Sequence, residues 1–330
     1  MSYKLLTIAI PTYNRPDDLD RSLASILPQV KRFEEYIEFL VSDNASTRDN
    51  ASVIEKYRRD GYVINYIVQE TNLGMDGNFT FIYNYAKTKY VWMLSDDDLL
   101  INDGVEIIIG FLSSNKEVSS LYLGNIWYDA SDPNIDLDTL MPKRKYNIMV
   151  YTEPLKYFEQ INYWITFLSA NIINKDLLYK KVDTQRFQGT FLALLSWIIP
   201  AIFQEAPNAI IEGPILICKG NNQGGYKLVE VFANNFNKVL DYFVNQGLPK
   251  QIKEIINRHL LREYFPYFIM ADKENKLSAS NYLREGWIAN LMRFYYNDKN
   301  FYLYILPAFQ LSKYRYNQWM QSKLLRFLSK

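Results

Sequence analysis

Short apolar runs alternate with amphipathic stretches over the first 125 residues. Residues 6–10, 36–41, 63–68, 90–94 and 120–123 are brief and rich in Ile, Val, Leu and Tyr, the pattern of buried strands. Between them, 17–26, 49–59, 76–86 and 103–112 read as helices. Each begins with an Asp, whose side chain can accept from the free N–H groups of a first helical turn. Strand and helix alternating at this interval predict βαβ units. The fold class is therefore α/β, a mostly parallel sheet with helices on both faces. Ligands of such sheets bind beyond the carboxyl ends of the strands, so the residues that follow each strand are the first candidates for a site.

The pattern changes further along. Residues 126–150 are rich in Asp, Pro and Lys and read as a loop. Residues 151–230 mix helix with short strand, and a Gly- and Asn-rich patch at 220–225 reads as flexible. From 231 onward the pattern is helical. The longest uncharged stretch, 187–204, has nearly the length of a minimal membrane span. Its two Gln, with Gly189, Thr190, Ser196 and Pro200, favour a buried core helix instead.

Composition narrows the chemistry. Lys and Arg number 37 against 36 Asp and Glu, a balance that speaks against nucleic acid as a partner. The neutrality is unevenly distributed. Positions 299–330 hold six basic residues and no acid, so the rest of the chain is net acidic. A single Cys, Cys218, and a single His, His259, exclude a disulfide framework within the chain, a Cys-based zinc site and a His-rich metal site. Chemistry then rests on carboxylates, hydroxyls, amides and Arg or Lys. The run at 5–10 is too short for a signal peptide and Pro11 ends it, so a cytoplasmic protein is expected. The sequons at Asn44, Asn50 and Asn78 are formal matches only.

Four strand ends carry polar clusters: Pro11-Thr12-Tyr13-Asn14-Arg15, Asp43-Asn44-Ala45-Ser46-Thr47, Asn72-Leu73-Gly74 with Asn78 one turn later, and Ser95-Asp96-Asp97-Asp98. Three consecutive carboxylates repel one another unless a cation is present. Hard divalent cations take oxygen ligands, and Mg²⁺ commonly uses one or two carboxylates plus substrate phosphates. A solvated turn is the alternative for an isolated Asp-Asp-Asp; in company with the other three clusters, the cation reading prevails. Asp43 suits a base edge or a ribose through charge-assisted hydrogen bonds, or else the cap of the next helix. Tyr13 offers a flat face to a base, or packs in the core. Asn72 and Gly74 allow close approach of the backbone to a ligand, or make a turn.

Together these segments resemble the family 2 glycosyltransferases of the GT-A fold. The carriers are Ile-Pro-Thr-Tyr-Asn-Arg at 10–15, Val-Ser-Asp-Asn-Ala-Ser-Thr at 41–47, Asn-Leu-Gly-Met-Asp-Gly-Asn at 72–78 and Leu-Ser-Asp-Asp-Asp at 94–98, in that order. Within the family the chain is most similar to transferases of bacterial O-antigen, capsule and related surface polysaccharides, including an abequosyltransferase-like branch. The resemblance covers about 4–125. It implies a GT-A catalytic domain over 1–230, with 1–125 binding the nucleotide-sugar and 126–230 the acceptor, followed by a helical region over 231–330. It implies that Pro11 to Arg15 and Asp43 hold the nucleotide of a donor, UDP-linked by expectation, with Asp43 on the base. Asn72, Gly74 and Asn78 would lie beside base and ribose, and Asp96 would face the ribose and the metal shell. Asp98 would ligate Mn²⁺ or Mg²⁺, and Asp97 would reach the donor sugar.

The same resemblance implies an acidic pair further along, one member taking the proton of the acceptor hydroxyl. In that zone Gly189 is followed by Thr190 and Phe191 where the acids should stand. Asp183 is the candidate base, because it precedes the helix whose start should face the cleft; a surface or capping residue is the alternative. The departure keeps a non-catalytic scaffold of a polysaccharide synthesis complex as a rival reading. A nucleotidyltransferase is a second, disfavoured because 11–15 lacks Gly. The acceptor is expected to be a saccharide, on a lipid carrier. The basic end, with Leu311, Tyr314, Trp319, Leu324, Leu325 and Leu328 as an apolar stripe, suits an anionic membrane surface. That would place the protein peripherally on the inner face of the plasma membrane. Packing on the body or on a sister subunit is the equal alternative.

Overall fold

The structure, a computed structural model, describes residues 4–114, 117–128, 146–178, 182–220, 226–274 and 286–328. It divides into two compact units, 1–220 and 221–330.

The first unit is built on one nine-stranded sheet in the order β3-β2-β1-β4-β8-β6-β9-β5, with β7 added against β9. Four strands make its parallel half: β1 (Leu6–Thr12), β2 (Ile37–Asp43), β3 (Asn65–Val68) and β4 (Tyr90–Met93). Every residue of β1 and β4 is buried, as expected of parallel strands covered on both faces. The helices between them are α1 (Pro16–Arg32), α2 (Asn50–Arg59), α3 (Gly74–Tyr85) and α4 (Gly104–Ser113). Helix α1 turns Leu19, Leu23, Ile26, Leu27 and Val30 inward, and α2 is capped by Asp49, whose carboxylate accepts from the Ser52 N–H at 2.9 Å. All four predicted helices form.

The other half of the sheet is mixed. β6 (Ser120–Tyr128) runs parallel to β9 (Asn208–Lys219), while β8 (Asn171–Asn174), β5 (Leu99–Leu100) and β7 (Asn147–Tyr151) pair antiparallel. The expected loop at 126–150 is therefore strand at both ends, because β6 runs on to Tyr128 and β7 begins at Asn147; its middle, 129–145, lies outside the described residues. So do 221–225 of the glycine-rich patch. Helix α5 (Pro154–Ile161) follows β7.

The stretch 187–204 corrects its expectation. Only Leu195–Ile202, α6, is helical, and the residues before it form turns in which Gly189 (φ 77°) and Phe191 (φ 63°) are left-handed. The burial expected there is real: α6 packs on β8, and Trp197 stacks on Tyr83 at 4.5 Å. The sequon asparagines Asn44, Asn50 and Asn78 are all buried.

The second unit is helical in its described residues, from Phe236–Asn245 through Lys313–Leu328. Phe236, Leu240, Ile252, Ile256, Phe265 and Leu291 form its core. A closed polar ring crosses that core. The Asn237 amide donates to the Tyr295 hydroxyl at 3.0 Å, the hydroxyl to Asn257 at 3.0 Å, and the Asn257 amide back to Asn237 at 2.9 Å. Of the basic end, Phe301 and Tyr316 are buried while Tyr302 and Tyr314 are exposed. The side chains of Leu324, Leu325 and Leu328 lie outside those described. No described helix is long and apolar enough to cross a membrane.

Candidate active site

The parallel topology gathers the polar segments at one sheet edge. Strands β1, β2 and β4 end side by side, and the residues after them interlock. The Asn14 side chain, at a backbone φ of 56°, accepts from the N–H groups of Thr47 (2.7 Å) and Arg48 (2.9 Å). Asn is among the few residues that tolerate such a φ. Its own N–H donates to Ser46 Oγ at 2.8 Å, so the loops after β1 and β2 form one rigid surface. Tyr13 stands on it with its ring partly exposed.

Asp43 closes β2 and is buried. It accepts from Ser46 N–H at 2.8 Å, Tyr66 hydroxyl at 2.8 Å and Asn50 amide at 3.0 Å. Burial and this carboxylate push the Tyr66 phenol well above its usual range, so it remains a donor. A carboxylate has about four lone-pair sites; three donors orient Asp43 and leave room for one more partner. Asn44 links this loop to α3, donating to Asn72 at 3.0 Å and to the Gly74 carbonyl at 3.1 Å. Gly74 occupies a left-handed φ of 72°. Asn78 is buried and exchanges hydrogen bonds with Ser42, so it braces β2 from behind.

Asp96, Asp97 and Asp98 are each no more than 5% exposed. Thr12 donates to Asp96 at 2.8 Å, and the Arg15 guanidinium reaches both Asp96 and Asp97 at 3.1 Å. Asp98 turns the other way. It accepts from Ser169 Oγ at 2.6 Å and from the Lys219 N–H at 3.3 Å. The buried Cys218 thiol lies near it; burial and Asp98 push that thiol far up, so it is neutral. Burial pushes Asp96 up to about 7 against the pull of Arg15, and burial with Asp97 alongside pushes Asp98 up to about 7. These carboxyls are short of positive charge.

A divalent cation fits that deficit. The carboxylates offer only oxygen donors, as Mg²⁺ and Mn²⁺ prefer, and such ions commonly take one or two protein carboxylates together with phosphates. Among the described residues no three His, Cys, Asp or Glu side chains converge as a ready-made cage. With a cation bound, these carboxylates would supply only part of its coordination shell, leaving the rest to a ligand such as a diphosphate.

The segment 189–193 reaches the same edge through a residue that sequence reading placed only as the start of α3. Asp76 is buried and accepts from the N–H groups of Phe191 at 2.8 Å and Ala193 at 3.0 Å, with those of Gly189 and Thr190 also turned to it. Asp183 lies elsewhere. It is half exposed, pairs with Arg186 at 3.0 Å and accepts from Gln185 N–H. Its neighbour Thr184 bonds Thr80 and Asn84, further down α3 than Asp76. It precedes α6 by twelve residues, rather than opening that helix. Asp76→Asn should leave at least one of the buried N–H groups facing an amide N–H. We expect a loss of about 1–3 kcal/mol in urea unfolding, with exchange protection lost first at 189–193.

The sheet order, the βα alternation and the carboxylates at the end of β4 define an α/β GT-A transferase. The chain belongs to the family described as Glycosyl transferase family 2, which it matches over residues 7–180. It is 29% identical over 237 residues to the abequosyltransferase RfbV of Salmonella typhimurium, spanning 66% of this chain and 67% of that one. It is 28% identical over 205 residues to a GalNAc(5)-diNAcBac-PP-undecaprenol beta-1,3-glucosyltransferase of Campylobacter jejuni, spanning 58% of each. Among solved structures, S. aureus TarS 1–349 shares the fold with a TM-score of 0.56 at 15% identity, over 88% of this chain and 80% of that one. The mannosyltransferase PcManGT of Pyrobaculum calidifontis, solved with GDP-Man and Mn²⁺, gives 0.51 at 15% identity, over 81% and 72%. The protein is a glycosyltransferase with relatives in surface-polysaccharide synthesis.

Proposed function

We propose that this enzyme transfers a sugar from a UDP-linked donor to a saccharide carried on a lipid, in bacterial surface polysaccharide synthesis, with Mn²⁺ or Mg²⁺ as cofactor. The observation that carries the proposal is the buried Asp96–Asp98 cluster at the end of β4, flanked by Arg15 and by the oriented Asp43. The UDP-GlcNAc complex of TarS and the lipid-linked substrate in the Campylobacter enzyme's name support the choice of donor and acceptor class.

In this reading Asp43 grips the base, with Pro11 to Arg15, Asn72 and Gly74 lining the nucleotide pocket. Tyr13 covers the base. Asp96, held by Thr12, faces the ribose. Arg15, 3.1 Å from Asp97, holds it turned toward the donor sugar. Asp98, with Asp96, holds the cation, which when bound neutralises charge on the departing diphosphate. The sugar reacts through an oxocarbenium-like state, so these fixed carboxylates lower the barrier without rearranging.

The test is release of UDP from a panel of UDP-sugars with Mn²⁺. Turnover should vanish with a chelator and return with added metal. A panel on which no donor releases UDP under any metal would sink the proposal. Asp183, although it stands on a half-exposed turn apart from the Asp96–Asp98 cluster, is the acid proposed as the base, so Asp183→Asn should lower transfer to an acceptor by about 10²-fold or more while calorimetric UDP affinity stays unchanged. Full turnover in the variant would remove Asp183 from that role.

A further inference from the structure

Three aromatic side chains cluster on the other flank of Asp98. Trp127 stands near the end of β6 and is 44% exposed, and Trp164 is 38% exposed. Their ring centroids lie 5.9 Å apart, and Phe167 sits 5.0 Å from Trp127. Interplanar angles of 36° and 44° show that the rings are tilted rather than stacked. The Trp127 indole N–H donates to the Asn125 side chain at 2.8 Å, which fixes the rotation of the ring. Exposed indoles in an aqueous site cost hydration free energy, and burial is where such rings ordinarily go.

Their address is specific. Trp127 pairs with Cys218 in the β6–β9 register, and laterally paired residues point to the same face of a sheet. Ile217, just before Cys218, pairs with Leu99, just after Asp98, and Lys219 donates its N–H to the Asp98 carboxylate. Phe167 lies two residues before Ser169, the other donor to Asp98. The cluster is thus built on the two segments that hold Asp98. The sheet order sets β1 and β2, which carry the nucleotide loops, on one side of β4, and β6 on the opposite side.

We propose that Trp127 and Trp164 form the platform on which a pyranose ring of the acceptor stacks, beside Asp98 and opposite the nucleotide. A pyranose face presents C–H bonds carrying partial positive charge, and an indole face carries the negative part of its quadrupole. The contact is apolar without demanding an apolar ligand, as a saccharide acceptor requires. This assignment rests on the transferase reading and deepens it.

The experiment is saturation-transfer NMR on the full chain with a panel of methyl pyranosides (galacto, manno, rhamno and N-acetylgalactosamino), each with and without UDP and Mn²⁺. UDP affinity is followed separately by calorimetry. At least one pyranoside should receive saturation through the protons of one ring face. Trp127→Ala and Trp164→Ala should each weaken it about tenfold, the upper range for one aromatic contact. Trp127→Phe should recover most of the loss, and UDP affinity should be unchanged in all three. Equal pyranoside binding by the alanine variants overturns the platform, as does a wild type that binds UDP but no pyranoside. A wild type that binds no UDP would undo the transferase reading instead. Pyranoside binding sensitive to both indoles would still uphold the platform as a sugar site.

Discussion

Asp98→Asn is expected to lower metal-dependent turnover by about 10³-fold, the upper range for removing one preorganised electrostatic partner from an active site. The substitution keeps the shape of the side chain and removes its charge. In the native protein Asp98 is 3% exposed and accepts from Ser169 and from the Lys219 backbone. Asn can satisfy one of those donors through its oxygen and must turn an N–H toward the other. That mismatch costs about 1–3 kcal/mol. Removing a buried carboxylate, which burial already holds up to about 7, returns a comparable amount. Stability should therefore stay within about 3 °C in Tm, and the loss of activity belongs to the site. Two calorimetric titrations check this. Mn²⁺ should strengthen UDP binding in the native chain and leave it unchanged in the variant. Turnover within a few-fold of native, or metal-strengthened UDP binding by Asp98→Asn, would refute the role.

What could be read in advance, and what could not, divides along the range of the interactions. Strand β1, α1, β2, α2 and β4 were legible because each is specified by its own apolar spacing, with Asp49 capping α2. Strand β5 was not. It has two residues, Leu99 and Leu100, and exists only because they pair with Ile217 and Leu216 of β9. The stretch 187–204 looked helical throughout because it is long, uncharged and mostly apolar. Nothing local announces that Asp76, more than a hundred residues earlier, collects the N–H groups of 189–193 and holds Phe191 at a φ of 63°. A turn stapled from outside leaves no mark in the hydropathy of the turn.

The candidate site divides the same way. Asp43 and Asp96 to Asp98 stood out because strand ends in an α/β sheet are where ligands go. Their partners did not. Tyr66, Ser169, Cys218 and Lys219 come from β3, from a short turn before β8, and from β9, and only the sheet order brings them to the carboxylates. Nothing local shows what holds each of the three carboxylates. The structure separates them, with Arg15 against Asp96 and Asp97 and neutral donors against Asp98. That difference is what favours Asp98 over its neighbours as the principal ligand in the proposed cation site.

Gly124→Ala should be the most disruptive small substitution in the first unit. Strands β6 and β9 pair over most of their length, and their register shifts between Leu123 and Asn125. Gly124 sits at that irregularity. A Cβ there would lie 2.1 Å from the Gly213 carbonyl oxygen and 2.9 Å from that of Ile211. Both are backbone atoms, so no rotamer relieves the clash and the strands must separate. Overpacking of a core ordinarily costs about 1–3 kcal/mol; with the obstacle in the backbone, we expect at least the upper figure, a fall of about 6–12 °C in Tm. The damage should also reach the site. Residues beyond the bulge set Trp127 opposite Cys218 and Tyr128 opposite Lys219, so a slipped register moves Lys219, whose N–H bonds Asp98. Thermal melting and UDP titration together test this, since a variant that folds should still bind UDP less tightly in Mn²⁺. Gly110→Ala is the control. Gly110 is an exposed position inside α4 with nothing within 4 Å of its added Cβ. That change should stabilise by about 0.5–1 kcal/mol, because Ala loses less backbone entropy in a helix. Opposite signs for the two Gly→Ala changes would show that the first is governed by the β6–β9 contact and not by the residue type. A native-like melt for Gly124→Ala would mean that the strands can part at that point without cost.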